Sequence, residues 1–421
     1  MTRDDQALLT RLFETAVAAA DPRRVLATQL PEKPKGRTVV IGAGKGAAQM
    51  ASAFEDLWDA PLEGVIVTRY GYAVPCQHLR VLEAAHPVPD AAGLAATEAL
   101  FDAVRDLTPD DLVVALICGG GSALLPAPLA GMTLEDEAAL NRSVLASGAP
   151  ISAMNVIRKQ FSRIKGGRLA AAAHPAKVVS LVVSDVPGDD PAEVASGPTV
   201  PSPSNRADAL RLIDSHRIAL PKTLMQEFSD VPEDAPAPDD PAFSHDTVTV
   251  IASASLSLEA AADKARAAGL PAVILSDAIE GEAREVGRVH AAIAREIALR
   301  DRPFTRPVLL LSGGETTVTL TGDGGRGGRN TEFLLSFALS LDGQTGITAL
   351  AADTDGIDGS EDNAGAFADG TTAQRLRDAG LDPAASLARH DAWGAFDAVG
   401  DLFAPGPTGT NVNDFRAILI R

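Results

Sequence analysis

The chain has 421 residues, of which 46% are hydrophobic and only 4% aromatic, and its formal net charge at pH 7 is −19. This length predicts two domains, and the aliphatic content suffices for packed cores, which argues against disorder. The negative charge argues against nucleic-acid and membrane partners, because it would be repelled by their phosphates and no block of five or more basic residues offsets it.

The N-terminal segment is predicted to form a helix. Its apolar side chains recur at helical spacing: Leu8, Leu9, Leu12, Phe13 and Val17. The segment lacks the basic start and unbroken apolar core of a secretory signal, and no run in the chain reaches the length of a membrane span. The two cysteines, Cys76 and Cys118, imply no disulfide framework. We therefore expect a soluble, cytoplasmic protein.

Strand-like runs alternate with helix-like segments through most of the chain, which predicts an α/β fold with two mainly parallel sheets flanked by helices. The predicted strands are 38–41, 64–68, 112–118, 178–184, 247–252, 272–275, 308–311, 347–351 and 417–420. An acidic, proline-rich segment within 215–244 has the composition of a linker. We therefore predict a Rossmann-like domain at 1–235 and a second α/β domain at 236–421, with ligands in the cleft between them.

Two glycine-rich segments follow predicted strands in the first half. The first, GAGKGA at 42–47, is a weak dinucleotide fingerprint, and its Lys45 would oppose the helix dipole unless an anion binds there. A solvated surface lysine is the alternative. The second has glycines at 119–121 followed by Ser122, whose hydroxyl and the neighbouring N–H groups would cradle a phosphate or carboxylate. Ser122 as a helix N-cap is also open, and Ser122 as a nucleophile lacks a histidine partner nearby.

Two further segments carry clustered charge. The segment 155–170 is basic in an otherwise acidic chain, and it fits either a solvated amphipathic helix or contact with an anion. The segment 309–334 contains a second glycine-rich loop with Arg326 and Arg329, before a predicted helix. Glycines allow the backbone to approach a ligand closely, and the guanidinium fork matches phosphate and carboxylate oxygens. This combination predicts an oxyanion-binding loop.

At these residues the chain resembles the glycerate 2-kinases, the class whose C-terminal part is called the MOFRL domain. The resemblance covers nearly the whole chain and rests on seven ordered motifs: GAGKGA (42–47), CGGGSALLPAP (118–128), NVIRKQFSRIKGGRLA (155–170), SDVPGDDPAEVASGPTVP (184–201), LSGGETTVTLTGDGGRGGRNTEF (311–333), DTDGIDG (353–359) and GTNVND (409–414). It implies two α/β domains with the active site between them, and Mg²⁺-dependent phosphorylation of D-glycerate by ATP to give 2-phosphoglycerate. It leaves the oligomeric state open, with a homodimer as one option.

The resemblance also implies which residues form the site. Lys45 matches the lysine of the family's glycine loop, and Arg329, or the nearby Arg326, matches its loop arginine. The other expected substrate- and nucleotide-binding residues come from the same motifs: Gly44, Gly119, Gly120, Gly121, Ser122, Ser196, Gly313, Gly314, Glu315, Arg326, Asn330, Thr410, Asn411 and Asn413. The sequence departs from the family at Thr331, where members often carry Gln.

Two acidic loops offer candidates for the acid–base and metal roles of phosphoryl transfer. Asp189 is predicted to accept the hydroxyl proton, because Pro187 and Gly188 would place it at the tip of a rigid loop after a strand. Asp355 and Asp358 are the predicted Mg²⁺ ligands, since Mg²⁺ needs only one or two carboxylates besides substrate phosphates. The reverse assignment, and plain acidic turns, stay open.

Two other functions compete with the kinase. An NAD(P)H-dependent hydroxypyruvate reductase, a name often given to family members, would use 42–47 as a dinucleotide turn. It should then carry an acidic residue at the end of the second strand, where the chain reads Val67-Thr68-Arg69. Arg69 could accept the 2′-phosphate of NADPH, but the acidic loops would have no task in hydride transfer. A non-catalytic binding module would not need so many convergent carboxylates.

Overall fold

The computed structural model describes residues 1–186, 188–230, 235–320 and 324–421, with the backbone alone described at Ile151 and Asp230. The chain divides into two compact units. The central unit is Pro22–Ile251, and the terminal unit combines Met1–Asp21 with Ala252–Arg421. This division differs from the predicted boundary at 235, and part of the predicted linker, 231–234, lies outside the described residues.

The chain begins with helix α1 (Arg3–Ala19), which belongs to the terminal unit. The central unit follows with α2 (Pro22–Ala27), β1 (Thr38–Ala43), α3 (Ala47–Leu57), β2 (Glu63–Arg69), β3 (Leu79–Ala84), α4 (Ala91–Ala103), β4 (Leu112–Cys118), α5 (Gly121–Leu124), α6 (Leu134–Ala146), α7 (Ile151–Gln160), α8 (Arg168–Ala173), β5 (Lys177–Val183), α9 (Arg206–Ser215), α10 (Lys222–Asp230) and β6 (Thr247–Ala252). Single 3-10 turns lie at Val194–Ser196 and Pro241–Phe243.

The central sheet has the strand order β3-β2-β1-β4-β5-β6, and the pairs from β3 to β5 are parallel. Strands β1 and β4 are buried along their whole length, as expected for parallel strands covered on both faces. The order reverses direction between β1 and β4, and in such sheets ligands bind beyond the carboxyl ends of the strands at that point. We therefore expect a ligand site at the loops after β1 and β4.

The terminal unit continues with α11 (Ala254–Ala267), β7 (Ala272–Ser276), β8 (Gly281–Glu282), α12 (Ala283–Arg300), β9 (Val308–Ser312), β10 (Thr316–Thr317), α13 (Arg329–Leu341), β11 (Ile347–Asp353), β12 (Gly365–Asp369), α14 (Thr372–Asp378), α15 (Pro383–Ala388), α16 (Ala392–Val399), β13 (Leu402–Phe403) and β14 (Asp414–Ile420). Its large sheet has the order β13-β12-β11-β14-β9-β7, and β8 and β10 form a small parallel pair.

The α/β class is confirmed, but the prediction that the second sheet is mainly parallel was wrong. In this sheet β13, β12, β11, β14 and β9 pair antiparallel with their neighbours, and of the described pairs only β7 with β9 is parallel. The physical reason lies in the connections: β11 is joined to β12 by a loop rather than a crossover helix, which permits antiparallel pairing. Strand β12 (GAFAD) was not predicted, because glycine, alanine and aspartate are poor strand formers.

Helix α1 packs into the terminal unit, which explains why the predicted domain boundary differs from the observed division. Its side chains Leu9, Leu12, Phe13 and Ala16 are buried in one apolar cluster with α11, β9 and β14. The Phe13 ring lies edge-on to Phe403, with centroids 5.0 Å apart. The helical periodicity was visible in the sequence, whereas its distant partners were not. Within the described residues, none of the helices combines the length and the hydrophobicity that a membrane span requires.

Candidate active site

In the central unit, the loops after β1 and β4 are joined by hydrogen bonds. The backbone N–H of Lys45 donates to the carbonyl of Gly119 at 2.8 Å, and that of Gly46 donates to Cys118 Sγ at 3.2 Å. Gly44 lies so close to β4 that a Cβ there would be 2.4 Å from the Cys118 carbonyl oxygen. The two predicted glycine loops therefore form one surface at the reversal point of the sheet.

Three chemically active side chains surround the second glycine loop. Gly120 has φ +79°, and a Cβ on it would lie 2.9 Å from Lys45 Cγ and 3.2 Å from His86 Nε2. A Cβ on Gly119 would lie 1.9 Å from Asp185 Oδ2. Neighbouring side chains thus leave no room for a Cβ at Gly119 or Gly120, and the positive φ of Gly120 also favours glycine. We call Lys45, His86, Asp185 and the glycines 119–121 the central cluster.

The Lys45 ammonium makes no hydrogen bond or ion pair with the part of the chain that the structure describes. It stands at the start of α3, whose N-cap Gly46 supplies no side-chain capping bond. A cation at a helix N-terminus is disfavoured by the helix dipole, so this position gains stability when an anion binds beside it. Lys45 therefore lies at the start of a helix, as the sequence predicted, with no ion-pair partner among the described residues.

Ser122 and Ser196 form a hydroxyl pair, with their Oγ atoms 2.9 Å apart. The partner of Ser122 is thus another hydroxyl rather than a base, which weakens the nucleophile hypothesis. The helix that Ser122 lies in, α5, has only four residues. Ser196 and Ala195 have φ values of +60° and +52°, a left-handed conformation that costs energy in residues with a Cβ.

Asp189, the predicted base, lies in the acidic loop after β5 that also contains Ala195 and Ser196. Like them it has a left-handed backbone, with φ +55°. It is half-buried, and its N–H donates to the carbonyl of Val186 at 3.2 Å. Pro187, which was predicted to stiffen the loop tip, lies outside the described residues. The catalytic role of Asp189 stays a prediction.

The basic segment 155–170 is structural, since its charges are paired inside the unit. Lys159 is fully buried and pairs with Glu193 at 2.5 Å, and Lys165 pairs with the buried Glu137 at 3.2 Å. The arginines of the segment bond to Asn141, Glu98 and backbone carbonyls. The segment therefore packs against the rest of the unit rather than forming a solvated helix.

In the terminal unit, Arg329 lies among three carboxylates. Its Nε donates to Asp414 Oδ1 at 2.6 Å, Nη1 to Glu315 Oε1 at 2.9 Å and Nη2 to Asp353 Oδ2 at 2.5 Å. Burial would lower the Arg329 pKa, but the carboxylates outweigh it and raise that pKa above its usual range. Arg329 thus holds a set of acidic groups, and 24% of its side-chain surface remains exposed to solvent.

We define the terminal cluster as Arg329, Glu315, Asp353, Asp414 and Arg416. Sequence reasoning assigned no site role to three of its members: Asp353, Asp414 and Arg416. Asp414 accepts hydrogen bonds from both arginines, and Arg416 is fully buried against the Gly313 carbonyl at 3.0 Å. The motif GTNVND ends on Asp414, so the motif itself was a usable signal. Arg416 lies inside an apolar strand, where no pattern distinguishes it.

Asp358 does not fit its predicted role as a metal ligand. Its Oδ1 accepts the backbone N–H of Asn330 at 2.9 Å, and its Oδ2 accepts the N–H and the hydroxyl of Thr331, both at 2.8 Å. Burial raises its pKa to about 6. These bonds fix the first turn of α13 and occupy both carboxylate oxygens, so Asp358 is a structural cap.

Asp355 is better placed to contact a ligand. Its Oδ1 accepts the N–H of Ile357 at 2.8 Å, and the residue is only half-buried. Among the described residues, no group of three or more His, Cys, Asp or Glu side chains is arranged to hold a metal ion. Mg²⁺ sites often use only one or two protein carboxylates besides phosphate oxygens, so the metal role of Asp355 stays a prediction.

The other predicted binding residues of the terminal unit mostly shape the backbone. Gly314 has φ +106° and no room for a Cβ, which would lie 2.2 Å from the Ile279 nitrogen. The Arg326 guanidinium stacks 4.0 Å over the Trp393 ring. Residues 321–323 of this loop lie outside the described part of the chain.

The side chains of the motif GTNVND (409–414), which leads into β14, bond to the backbone of the terminal unit. Thr410 donates its hydroxyl to the carbonyl of Ala20 at 3.0 Å, and Asn411 Oδ1 accepts the N–H of Asn413 at 3.1 Å. The carbonyl of Asn413 in turn accepts the Thr354 hydroxyl at 2.7 Å. Contact of these residues with nucleotide stays a prediction.

Comparisons with known proteins cover the whole chain. Residues 8–229 match the model of a domain of unknown function (DUF4147), and residues 308–414 match the MOFRL family. The D-glycerate 2-kinase of Thermotoga maritima is 38% identical over 416 residues, which is 98% of each chain. A protein of Agrobacterium vitis, provisionally named hydroxypyruvate reductase, is 53% identical over 418 residues, 98% of this chain and 94% of that one.

A solved structure agrees with these matches. The crystal structure of a glycerate kinase from Thermotoga maritima superposes with a TM-score of 0.90 at 36% identity, covering 100% of both chains. Such identity over the full length, together with the two matched domain models, establishes descent as well as fold. The chain belongs to the glycerate kinase family with a MOFRL domain, whose members are phosphotransferases acting on an alcohol group.

Proposed function

We propose that this protein is a glycerate 2-kinase, which transfers the γ-phosphoryl group of Mg²⁺–ATP to the 2-hydroxyl of D-glycerate and releases ADP and 2-phosphoglycerate. The observation that carries the proposal is the ammonium of Lys45, which has no partner among the described residues and lies beside the glycine loop at the reversal point of the central sheet. Phosphoryl transfer depends mainly on positioning and on neutralising phosphate charge, and a cation with no protein partner serves that purpose.

The central cluster supports binding of the anionic groups that react. Lys45 and the N–H groups of the glycine loop can hold phosphoryl oxygens, and Asp189 is our candidate for the base that accepts the proton of the hydroxyl. Asp185, which reaches the loop at Gly119, is a second carboxylate of suitable chemistry. A carboxylate that orients the hydroxyl is the usual arrangement in kinases.

The terminal cluster supports the nucleotide and its metal. Its carboxyl groups outnumber its two arginines, so the cluster is better suited to Mg²⁺–ATP than to a bare anion. Glu315 and Asp355, which are not fully buried, would contribute oxygen ligands, while Arg329 positions the acidic groups and retains N–H groups for phosphate. Mg²⁺ would neutralise phosphate charge there.

The end of β2 argues against the reductase. A dinucleotide-binding sheet places an acidic residue there to hold the ribose. Here the Thr68 hydroxyl donates to the carbonyl of Lys45 at 3.2 Å, and the Arg69 guanidinium lies 3.6 Å over the Tyr72 ring. Neither residue offers a carboxylate to the ribose, so the kinase accounts for the site better.

One assay with two variants tests the proposal. The purified protein is incubated with Mg²⁺–ATP and D-glycerate and, separately, with hydroxypyruvate and NADH or NADPH. We expect ADP release, 2-phosphoglycerate by phosphorus NMR and no oxidation of reduced cofactor. Lys45→Ala should lower kcat by about 10²-fold or more, the scale of losing one preorganised charged donor.

The matched control is Lys33→Ala, because Lys33 is exposed, pairs with Asp59 and precedes β1, whereas the glycine loop follows that strand. It should retain wild-type kcat, and both variants should unfold at the wild-type temperature. Near-normal activity of Lys45→Ala would remove this lysine from the mechanism, and cofactor oxidation without ADP release would favour the reductase.

A further inference from the structure

His86 follows β3 at the carboxyl edge of the central sheet, and the proposed function gives it no role. We propose that His86 is a ligand-binding residue of the central cluster, whose imidazole hydrogen-bonds the anionic oxygens that Lys45 holds. These oxygens belong to a carboxylate or a phosphoryl group. The identity of the ligand rests on the proposed kinase function, whereas anion binding by His86 does not.

Geometry places His86 in the site. Its Nε2 lies 3.2 Å from where a Cβ on Gly120 would be, and Lys45 Cγ lies 2.9 Å from the same point. The two side chains therefore both lie against Gly120, on the side where another residue would carry its Cβ. A ligand group that contacts the Gly120 backbone would lie within reach of both.

The imidazole has no partner in the described residues. No hydrogen bond or ion pair of its side chain occurs with any of them. The neighbouring carboxylates are otherwise engaged: Asp90 accepts the Tyr70 hydroxyl at 2.7 Å, and Glu83 accepts the N–H of Gly71 at 2.7 Å. A half-buried histidine beside a lysine, both without a partner in the described parts of the chain, is the arrangement expected of an anion-binding site.

The electrostatics predict proton uptake when the anion binds. Burial, together with Lys45 and Arg69, lowers the pKa of His86 below its usual range, so the imidazole is neutral at pH 7 without ligand. The other carboxylate near the loop is Asp185, which lies against Gly119. A bound anion would offset the two cations and raise the His86 pKa. Anion affinity should therefore increase as the pH falls from 8 to 5.5.

The test uses sulfate, because its charge is constant over that pH range. Calorimetry in buffers of different ionisation enthalpy measures both its affinity and the number of protons taken up. We expect wild type to bind sulfate more tightly at low pH, with proton uptake. His86→Phe should weaken binding by about tenfold at low pH, the scale of one hydrogen bond to a charged group. His86→Gln should retain part of the affinity but lose the proton uptake.

Kinetics distinguish the two sources of the anion. If His86 binds the acceptor carboxylate, His86→Gln should raise KM for D-glycerate and leave KM for Mg²⁺–ATP unchanged. If it binds a phosphoryl group, the KM for Mg²⁺–ATP or kcat should change instead. Unchanged values of all three would overturn the proposal.

His78→Gln is the matched control, since His78 precedes β3 and thus lies at the opposite edge of the sheet. It should bind sulfate like wild type, and thermal unfolding should show that all variants fold. The proposal is overturned if wild type does not bind sulfate, or if His86→Phe binds it equally well. If sulfate binding depends on His86 but D-glycerate is not phosphorylated, the proposed function fails and this inference stands.

Discussion

At the scale of single residues, the two arginines of the second glycine loop have different environments. Arg329 donates to Asp414, Asp353 and Glu315, whereas Arg326 stacks on the Trp393 ring and is exposed. A lysine has the same charge as arginine but a single donor centre, so it cannot reproduce a fork that holds three carboxylates. A stacked, exposed arginine tolerates the same change far better.

Exchange of each arginine for lysine tests this difference. Arg329→Lys should lower kcat/KM for Mg²⁺–ATP by about 10²-fold, as expected when a preorganised charged group is lost. Arg326→Lys should stay near wild type. Steady-state kinetics with ATP varied at saturating D-glycerate measures both. Equal losses in the two variants would show that the loop conformation, rather than the Arg329 contacts, matters.

At the scale of elements, the first turn of helix α13 is capped by an acidic loop from elsewhere in the chain, the loop after β11. Asp358, in the loop after β11, caps the first turn of α13 through the N–H groups of Asn330 and Thr331. The same turn carries Arg329, so the cap fixes both the helix and the position of the guanidinium. Asp355, three residues earlier, takes no part in this cap.

The two aspartates should therefore respond differently to substitution. Asp358→Ala should lower the free energy of unfolding by about 1–3 kcal/mol, because it leaves buried N–H groups without a partner. Asp355→Asn should leave stability unchanged but raise the Mg²⁺ concentration needed for half-maximal rate. Thermal unfolding and Mg²⁺ titration of both variants check this. Unchanged stability of Asp358→Ala together with a shifted Mg²⁺ requirement would restore Asp358 as a metal ligand.

At the scale of the whole molecule, each unit has its own core. Phe13 of α1 lies in the apolar cluster of the terminal unit, against Phe403 and Phe415. Phe161 is its counterpart in the central unit, stacked on Phe228 with centroids 4.0 Å apart. Both rings are almost completely buried. The stability of each unit should therefore respond to its own phenylalanine.

Hydrogen exchange on the two phenylalanine variants tests this assignment of α1. Phe13→Ala should destabilise the terminal unit by about 3–5 kcal/mol, the usual cost of truncating a buried phenylalanine. Exchange should accelerate in β9, β11 and β14 and remain slow in β1 and β4. Phe161→Ala should first accelerate exchange in the central unit. Faster exchange in the central sheet of Phe13→Ala would contradict the division of the chain.

The sequence by itself determined the α/β class, most strands, the glycine loops, and the placement of Lys45 and Arg329 at strand or helix ends. These features are local: a buried strand is a continuous apolar run, and a loop that approaches β4 closely must be glycine. Only the tertiary structure decided which distant residues meet. His86 and Lys45 both lie against Gly120 although β2 separates their strands, and Asp414 bonds to Arg329 from a strand paired antiparallel with β11. Neither contact has a local pattern in the sequence. Long-range pairing depends on burial of whole faces rather than on neighbours in sequence, so it also decided that α1 joins the terminal unit.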